Sequence, residues 1–525
     1  MTGYVLAHDV GTSGNKASIV DVNGKIIAST EAAYPVLYPK PGWAEQDPNE
    51  HWWQAICATT HRVLKESEVK PEDIIGLTFS TQMMGTIPVD KDGTPLMNCM
   101  IWLDTRAAKQ NKDIVSNPIR MLRMLRITGG IPSGKDIIGK IVWLKEEAPQ
   151  IYDATYKFLD CKDYLIYKCT GDYITSWDCA NLTWFMDSRK DKNEWSQTIL
   201  DWIDLDEERL PRLAPSTEIA GTLTSDAAAQ LGLTTLTHVI NGAGDMTAAG
   251  VGSGAVREKE VHVYGGSSGW VGAHVSDRKL DIFTYTGSIR SAMPDKYFVL
   301  AEMESAGACL KHLREHWHCD LCLNVRDIAS DACADCYSGD RNPYATLDSI
   351  AERAPAGSEG LLFAPWMFGE RSPIDDHNVR GGYFNLSLAH EKTHMTRAVL
   401  EGVALHTRWM MNGLEKRKML GKVSKVNLIG GCANSDIWSQ IYADVLQKPV
   451  CRMSNPLTAG TVGVAFVAYV ALGEISDFER AADHVQADRV FEPDPVNLET
   501  YDQQFEFLKD YYRRNKGLWK KMNAH

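Results

Sequence analysis

Tyr4-Val-Leu-Ala-His-Asp9-Val-Gly-Thr-Ser-Gly-Asn-Lys16-Ala-Ser-Ile-Val20 is the stretch that decides the fold. An apolar run stops at an acid, passes a turn of Gly, Thr and Ser, and resumes as a second apolar run before the turn signal Asp21-Val-Asn-Gly24. That is the pattern of strand, hairpin and strand. About 255 residues later, Glu260-Val-His-Val-Tyr264 enters Gly265-Gly-Ser-Ser-Gly269 and leaves through Trp270-Val-Gly-Ala-His-Val275. Two hairpins of like design, each opening half a chain, predict an α/β protein of duplicated halves that face each other across a cleft.

The intervening patterns fill both halves. Helical periodicity runs over Glu50 to Glu66, Ser133 to Glu147, Met395 to Leu414 and Asp436 to Leu446, with a small-residue helix from Thr461 to Leu472. Strand-like runs lie at Ile74 to Phe79, His238 to Asn241 and Lys425 to Ile429. A Gly-rich stretch from Gly250 to Glu260 marks the boundary, giving halves 1–255 and 256–500 and a helical tail 501–525.

A chain of 525 residues allows two or three domains at roughly 150 residues each, and the paired hairpins select two. Its net charge of −13 argues against a nucleic-acid partner, since such proteins show a basic excess. The amino terminus lacks a basic n-region, and the longest uncharged apolar run, Val462 to Gly473, is too short to cross a membrane. The expectation is a soluble cytoplasmic protein with no membrane partner. Most of the 12 cysteines are scattered, as free core thiols are.

A turn rich in Gly, Ser and Thr aims backbone N–H groups and hydroxyls at one point, which suits a phosphate chain. Gly11, Thr12 and Ser13 in one turn and Gly266, Ser267 and Ser268 in the other would clamp it from two sides. Asp9, at the strand end, suits a carboxylate holding Mg²⁺ directly or through water. Lys16 is placed to meet a phosphate, with an exposed strand lysine as the plain alternative. Asp245, in Asn241-Gly-Ala-Gly-Asp245, is positioned at the boundary to take a proton from an attacking hydroxyl; spacing alone allows a helix cap equally. The rival Walker loop, Gly129-Gly-Ile-Pro-Ser-Gly-Lys135, is followed by Asp136 where a hydroxyl is needed.

In this order, these elements resemble the FGGY family of carbohydrate kinases. The resemblance includes Gly381-Gly-Tyr-Phe-Asn-Leu386, a seven-residue gap and His394-Met-Thr-Arg-Ala-Val-Leu-Glu401, departing at Asn385 where a Gly is usual. It extends to Trp43-Ala-Glu-Gln-Asp-Pro48, Trp102-Leu-Asp-Thr-Arg106, Lys140-Ile-Val-Trp-Leu144 and Gly369-Glu-Arg371. It implies two actin-like (ribonuclease H-like) ATPase domains, the first holding the sugar and the catalytic base and the second holding Mg²⁺-ATP. Asp9, Gly11, Thr12, Ser13 and Lys16 resemble the first phosphate loop, and Gly266, Ser267 and Ser268 the second. Asp245 resembles the family's base. Gly307, Gly431, Cys432 and Ser435 resemble nucleotide positions, and Gln82, Met83, Trp102, Asp104 and Asp245 sugar-side positions.

Motif order is most like the xylulokinase branch, so the expected substrate is a ketopentose such as xylulose. Two positions depart from it. Met84 stands where that branch has His, and Met246 where it has Asn, so two hydrogen-bonding side chains become thioethers. A site built around a hydroxyl loses heavily when its partner is removed, which opens a tetrulose, a tetritol, a deoxy sugar or another polyol as alternatives. An actin-like ATPase switch or sugar sensor is the rival class. A homodimer is common in the resembling family.

One stretch breaks the scatter of cysteines: His312-Leu-Arg-Glu-His316, His318, Cys319-Asp-Leu-Cys322 and Cys333-Ala-Asp-Cys336, within an insertion near 312–340. Two C-x-x-C pairs suit a structural zinc at Cys319, Cys322, Cys333 and Cys336 or a redox pair. The expectation is inert thiols.

Overall fold

A computed structural model describes residues 3–281, 286–317 and 342–523. The four cysteines of the insertion, and His318, lie outside the described residues.

Each half is built on the same five-strand arrangement. In the first, the strand order is Ile26–Ala33, Gly14–Val20, Tyr4–Val10, Ile74–Thr81 and His238–Ile240. In the second it is Tyr297–Met303, Gly269–Val275, Val261–Gly265, Val426–Ile429 and Val450–Met453. The first three strands of each set are antiparallel neighbours, and the last three are parallel. An antiparallel strand then closes each parallel edge, Ile219–Thr222 in one half and Ala487–Phe491 in the other. The duplication seen in the hairpins therefore extends through both sheets.

Burial explains the central strands. Val5, Leu6, Ala7 and Val10 are fully buried on both faces, as a central strand between helical layers requires. The helix Gln54–Ser67 buries Ile56, Thr59, Thr60 and Val63, spaced as one helical face. That face covers strands Gly14–Val20 and Ile26–Ala33.

The halves meet through two helices that occupy equivalent places after the fifth strand of each set. Asp245–Gly252 follows the first sheet and Ala459–Ala471 the second. They cross at near contact: a Cβ added at Gly252 would lie 1.9 Å from the Ala459 carbonyl oxygen, and one at Gly463 would lie 1.9 Å from that of Ala248. Gly250 and Gly252, at the start of the stretch taken as the boundary, belong to a packed helix, and the chain passes between halves at 253–260. The apolar helix Ala459–Ala471 is buried against Val5, Ala7, Val20 and Ile240 of the first sheet. A second bridge forms where Arg278 donates to the Ile127 carbonyl at 2.8 Å and Tyr297 donates to the Ser188 carbonyl at 2.9 Å.

Candidate functional site

The strand residues just before each turn, Asp9 and Tyr264, approach the crossing helices. In the first, Gly11 N–H donates to the Gly14 carbonyl at 2.9 Å, and the Gly11 carbonyl accepts from the Tyr34 hydroxyl at 2.7 Å. Thr12 receives Gln46 Nε2 on its carbonyl at 2.7 Å and Trp102 Nε1 on its hydroxyl at 2.8 Å. The turn is pinned from behind, and Ser13 is exposed.

Asp9 lies one residue before the end of the strand Tyr4–Val10, and its Oδ1 accepts from the Ser80 hydroxyl at 2.7 Å. A Cβ at Gly460, in the first turn of the helix Ala459–Ala471, would lie 2.9 Å from Asp9 Oδ2. Only a small residue lets that positive helix end approach the carboxylate. Asp245 opens the other crossing helix, and its Oδ1 accepts the Met246 N–H at 2.8 Å. Burial, and next the charge of Asp9, push Asp245 up to about 8. Burial likewise raises Asp9, against the pull of Ser80 and of Lys16. Lys16 is its ladder partner and donates Nζ to the Leu457 carbonyl at 3.0 Å.

Asp9 and Asp245 are half-buried carboxylates, and the charge of the first raises the second, so the pair is short of positive charge and fits a hard divalent cation. No group of three or more His, Cys, Asp or Glu gathers among the described residues. A two-carboxylate site of this kind suits Mg²⁺, which usually takes the rest of its shell from water and phosphate.

The second turn sits on the start of the helix Gly307–His316. Ala306 N–H donates to the Ser267 carbonyl at 2.8 Å and Gly307 N–H to that of Gly266 at 2.8 Å. A Cβ at Gly307 would lie 2.6 Å from the Gly266 oxygen, which accounts for glycine there. Gly431 begins a short helical turn behind Gly265. Two expected nucleotide residues have other employment. Cys432 is buried, and its Sγ would collide at 2.0 Å with any Cβ on Gly265. Ser435 caps the helix Asp436–Leu446 and donates to Asp348 Oδ1 at 2.8 Å. Both shape the turn from behind.

On the acceptor side, Gln82 Nε2 donates to Gln46 Oε1 at 2.7 Å, while its own buried Oε1 has no partner among the described residues. Met83 packs with Cys179 and Leu182, and Met84, Trp184, Met246 and Ile289 complete an apolar wall. Met84 adopts φ 68°, and its backbone is clamped: its N–H donates to Asp160 at 2.9 Å and its carbonyl accepts Lys140 Nζ at 2.7 Å. Burial pushes Asp160 up to about 7 and Lys140 down to about 8.

Asp104 departs from its expected place. It is fully buried and accepts from Ala44 N–H at 2.7 Å and from Arg106 Nη2 at 2.6 Å. Arg106 also pairs with Glu45 at 2.6 Å. This network supports the loop that carries Trp102, and Asp104 does not face the cleft.

Sequence reasoning missed several residues the structure brings here. Lys135 lies 5.4 Å from the Trp102 ring centre and 3.9 Å from Glu304 of the other half. Arg371 pairs with Glu302 and, at 3.3 Å, with Glu304. Lys135 follows the helix Pro118–Thr128 and no strand, so its Walker-like spacing comes without Walker architecture. Asp160 gave no signal, whereas Lys140 and Arg371 lay inside quoted family landmarks.

The architecture and its paired turns define a two-domain, actin-like α/β phosphotransferase fold. The FGGY family of carbohydrate kinases matches through its N-terminal domain over residues 4–252 and its C-terminal domain over 262–472. The chain belongs to this family and is a carbohydrate kinase. The xylulose kinase of Lactococcus lactis is 29% identical, over 98% of this chain and 97% of that protein. The gluconokinase of Bacillus subtilis is 28% identical, over 92% and 91%. The structure of a ligand-bound xylulose kinase from Lactobacillus acidophilus aligns with a TM-score of 0.87 at 27% identity, covering 99% of each chain.

Proposed function

We propose that this kinase transfers the γ-phosphoryl group of ATP to a hydroxyl of a neutral sugar, with a ketopentose such as xylulose the leading candidate. The relatives divide between a neutral ketose and an aldonate, xylulose and gluconate. The observation favouring the neutral substrate is the employment of the cations on the acceptor side. Lys135 and Arg371 are paired with Glu304 and Glu302, and Arg106 with Asp104 and Glu45. Lys140 is spent on the carbonyls of Met84, Met100 and Ile101. A substrate carboxylate would add one more anion beside Asp9 and Asp245.

In this reading the turns Gly11–Ser13 and Gly266–Ser268 hold the phosphates with backbone N–H groups and hydroxyls. Asp9 would hold Mg²⁺, which supplies charge neutralisation to the phosphates when bound. Asp245 accepts the proton of the attacking hydroxyl. The apolar wall excludes water from that proton transfer. The unpartnered Gln82 Oε1 offers an acceptor to a sugar hydroxyl. ATP as phosphate donor accords with a cytoplasmic location.

A screen of xylulose, gluconate, tetruloses, tetritols and deoxy sugars by coupled ADP release tests this. A neutral sugar should give the highest kcat/KM. Preference for gluconate would refute the charge argument, and no response to any sugar would favour the ATPase-switch reading.

A further inference from the structure

Counting back from each phosphate turn reveals an asymmetry between the halves. Asp9 stands two residues before Gly11, and Tyr264 stands two residues before Gly266. Both lie on the central strand of their sheet, at positions paired across the hairpin, Asp9 with Lys16 and Tyr264 with Trp270. Tyr264 is therefore the counterpart of Asp9 in the duplicated architecture.

Its surroundings agree. The ring stacks on Trp270 with centres 3.8 Å apart and planes 11° apart. It joins a cluster containing Met246, Ala249 and Ala459, drawn from both crossing helices. Met246 adjoins Asp245, and Ala459 adjoins the Gly460 that abuts Asp9. The hydroxyl lies along the turn itself, 2.4 Å from where a Cβ on Gly266 would stand. That oxygen makes no hydrogen bond to the described residues. Burial, and then the charges of Asp9 and Asp245, push the phenol pKa up, so Tyr264 remains a donor.

We propose that the Tyr264 hydroxyl donates a hydrogen bond to a non-bridging oxygen of the γ-phosphoryl group and holds it in line for the hydroxyl activated by Asp245. In the transfer, the acceptor oxygen bonds to the γ-phosphorus. The bond from that phosphorus to the β–γ bridging oxygen breaks, and ADP leaves with the electron pair. The acceptor proton goes to Asp245, and Tyr264 keeps its own. The proposal rests on reading the two turns as the phosphate clamp.

Tyr264→Phe preserves the ring and its stack and removes only the donor. The expected result is a loss in kcat of about tenfold or more, as for one preorganised donor, with Mg²⁺-ADP affinity unchanged because ADP lacks the γ-phosphoryl group. A kcat within about twofold of the parent, or an equal loss of ADP affinity, would overturn the proposal. Tyr264→Gln and Tyr264→Leu both lose the ring, so they isolate the donor if the Phe variant folds poorly. The Gln variant should be the faster, and equal rates would count against the donor. Asp245→Ala in the same assay separates the two ideas: normal turnover there refutes the site reading, whereas an inactive Asp245→Ala beside a normal Tyr264→Phe refutes only the role of Tyr264.

Discussion

Replacing Asp245 by Asn should stabilise the protein while abolishing its chemistry. In the folded chain Asp245 holds its proton up to about 8, against 3.8 for an ordinary Asp. A carboxyl raised in this way leaves stability intact below about pH 4. Above that, the unfolded chain releases a proton that the folded chain retains, so stability is lost progressively until the pH reaches about 8. At pH 7 the interval is roughly three pH units, and at 1.36 kcal/mol per unit the carboxyl costs the apo fold up to about 4 kcal/mol. Asn cannot ionise, and its Oδ1 can still accept the Met246 N–H, a bond of 2.8 Å in the parent. Thermal unfolding of both proteins in chelator-containing buffers from pH 4.5 to 9 would read the effect. The variant's advantage should be small near pH 4.5, widen with pH and level off above about pH 8. Added Mg²⁺ should narrow it, because the cation favours the ionised parent. An offset independent of pH, or a variant less stable than the parent at pH 8, would refute the assignment of Asp245 as a half-buried, charge-starved carboxyl.

The same group predicts a rate profile. A base with a pKa of about 8 is only about one-tenth ionised at pH 7, so kcat/KM for Mg²⁺-ATP, which reports the enzyme before the metal binds, should rise about tenfold from pH 7 to its plateau. A flat profile between pH 6.5 and 9 would exclude Asp245 as the base in the free enzyme. Gly463→Val should damage the joint between the halves, since even a Cβ would fall 1.9 Å from the Ala248 carbonyl. A loss of about 3 kcal/mol or more, seen as a lower or split unfolding transition, is expected, and parent-like melting would contradict so close a crossing.

What could be read from the sequence was what local chemistry dictates. Both hairpins were legible because their turns need Gly, Ser and Thr between apolar runs, and Asp9 and Asp245 stood at the ends of recognisable strands. Gly250 and Gly252 did not reveal their partner, because a glycine looks the same whether it marks a boundary or admits another helix. The partner that decides between these, Ala459–Ala471, lies about 200 residues away. Asp104, Cys432 and Ser435 were found in the expected loops, yet the direction of each side chain is set by Arg106, Gly265 and Asp348. The Lys140–Asp160 clamp on Met84 escaped notice for a related reason: a buried pair acting on backbone groups imposes no spacing on the sequence.

The duplicated halves differ most where they must cooperate. At equivalent positions before the two turns, the first half places an acid and the second a phenol, Asp9 and Tyr264. With Asp245 added, the first half contributes two carboxylates to a chain whose net charge is already −13. Such a cleft opposes a bare phosphate chain, and a divalent cation reverses that sign locally. In the proposed reading, the uncharged turn donors and the Tyr264 hydroxyl would bind phosphate oxygens without lowering the pKa of Asp245, as a lysine in their place would. On that reading, the sharing of acids and neutral donors between the halves would keep the base strong until the metal and nucleotide arrive together.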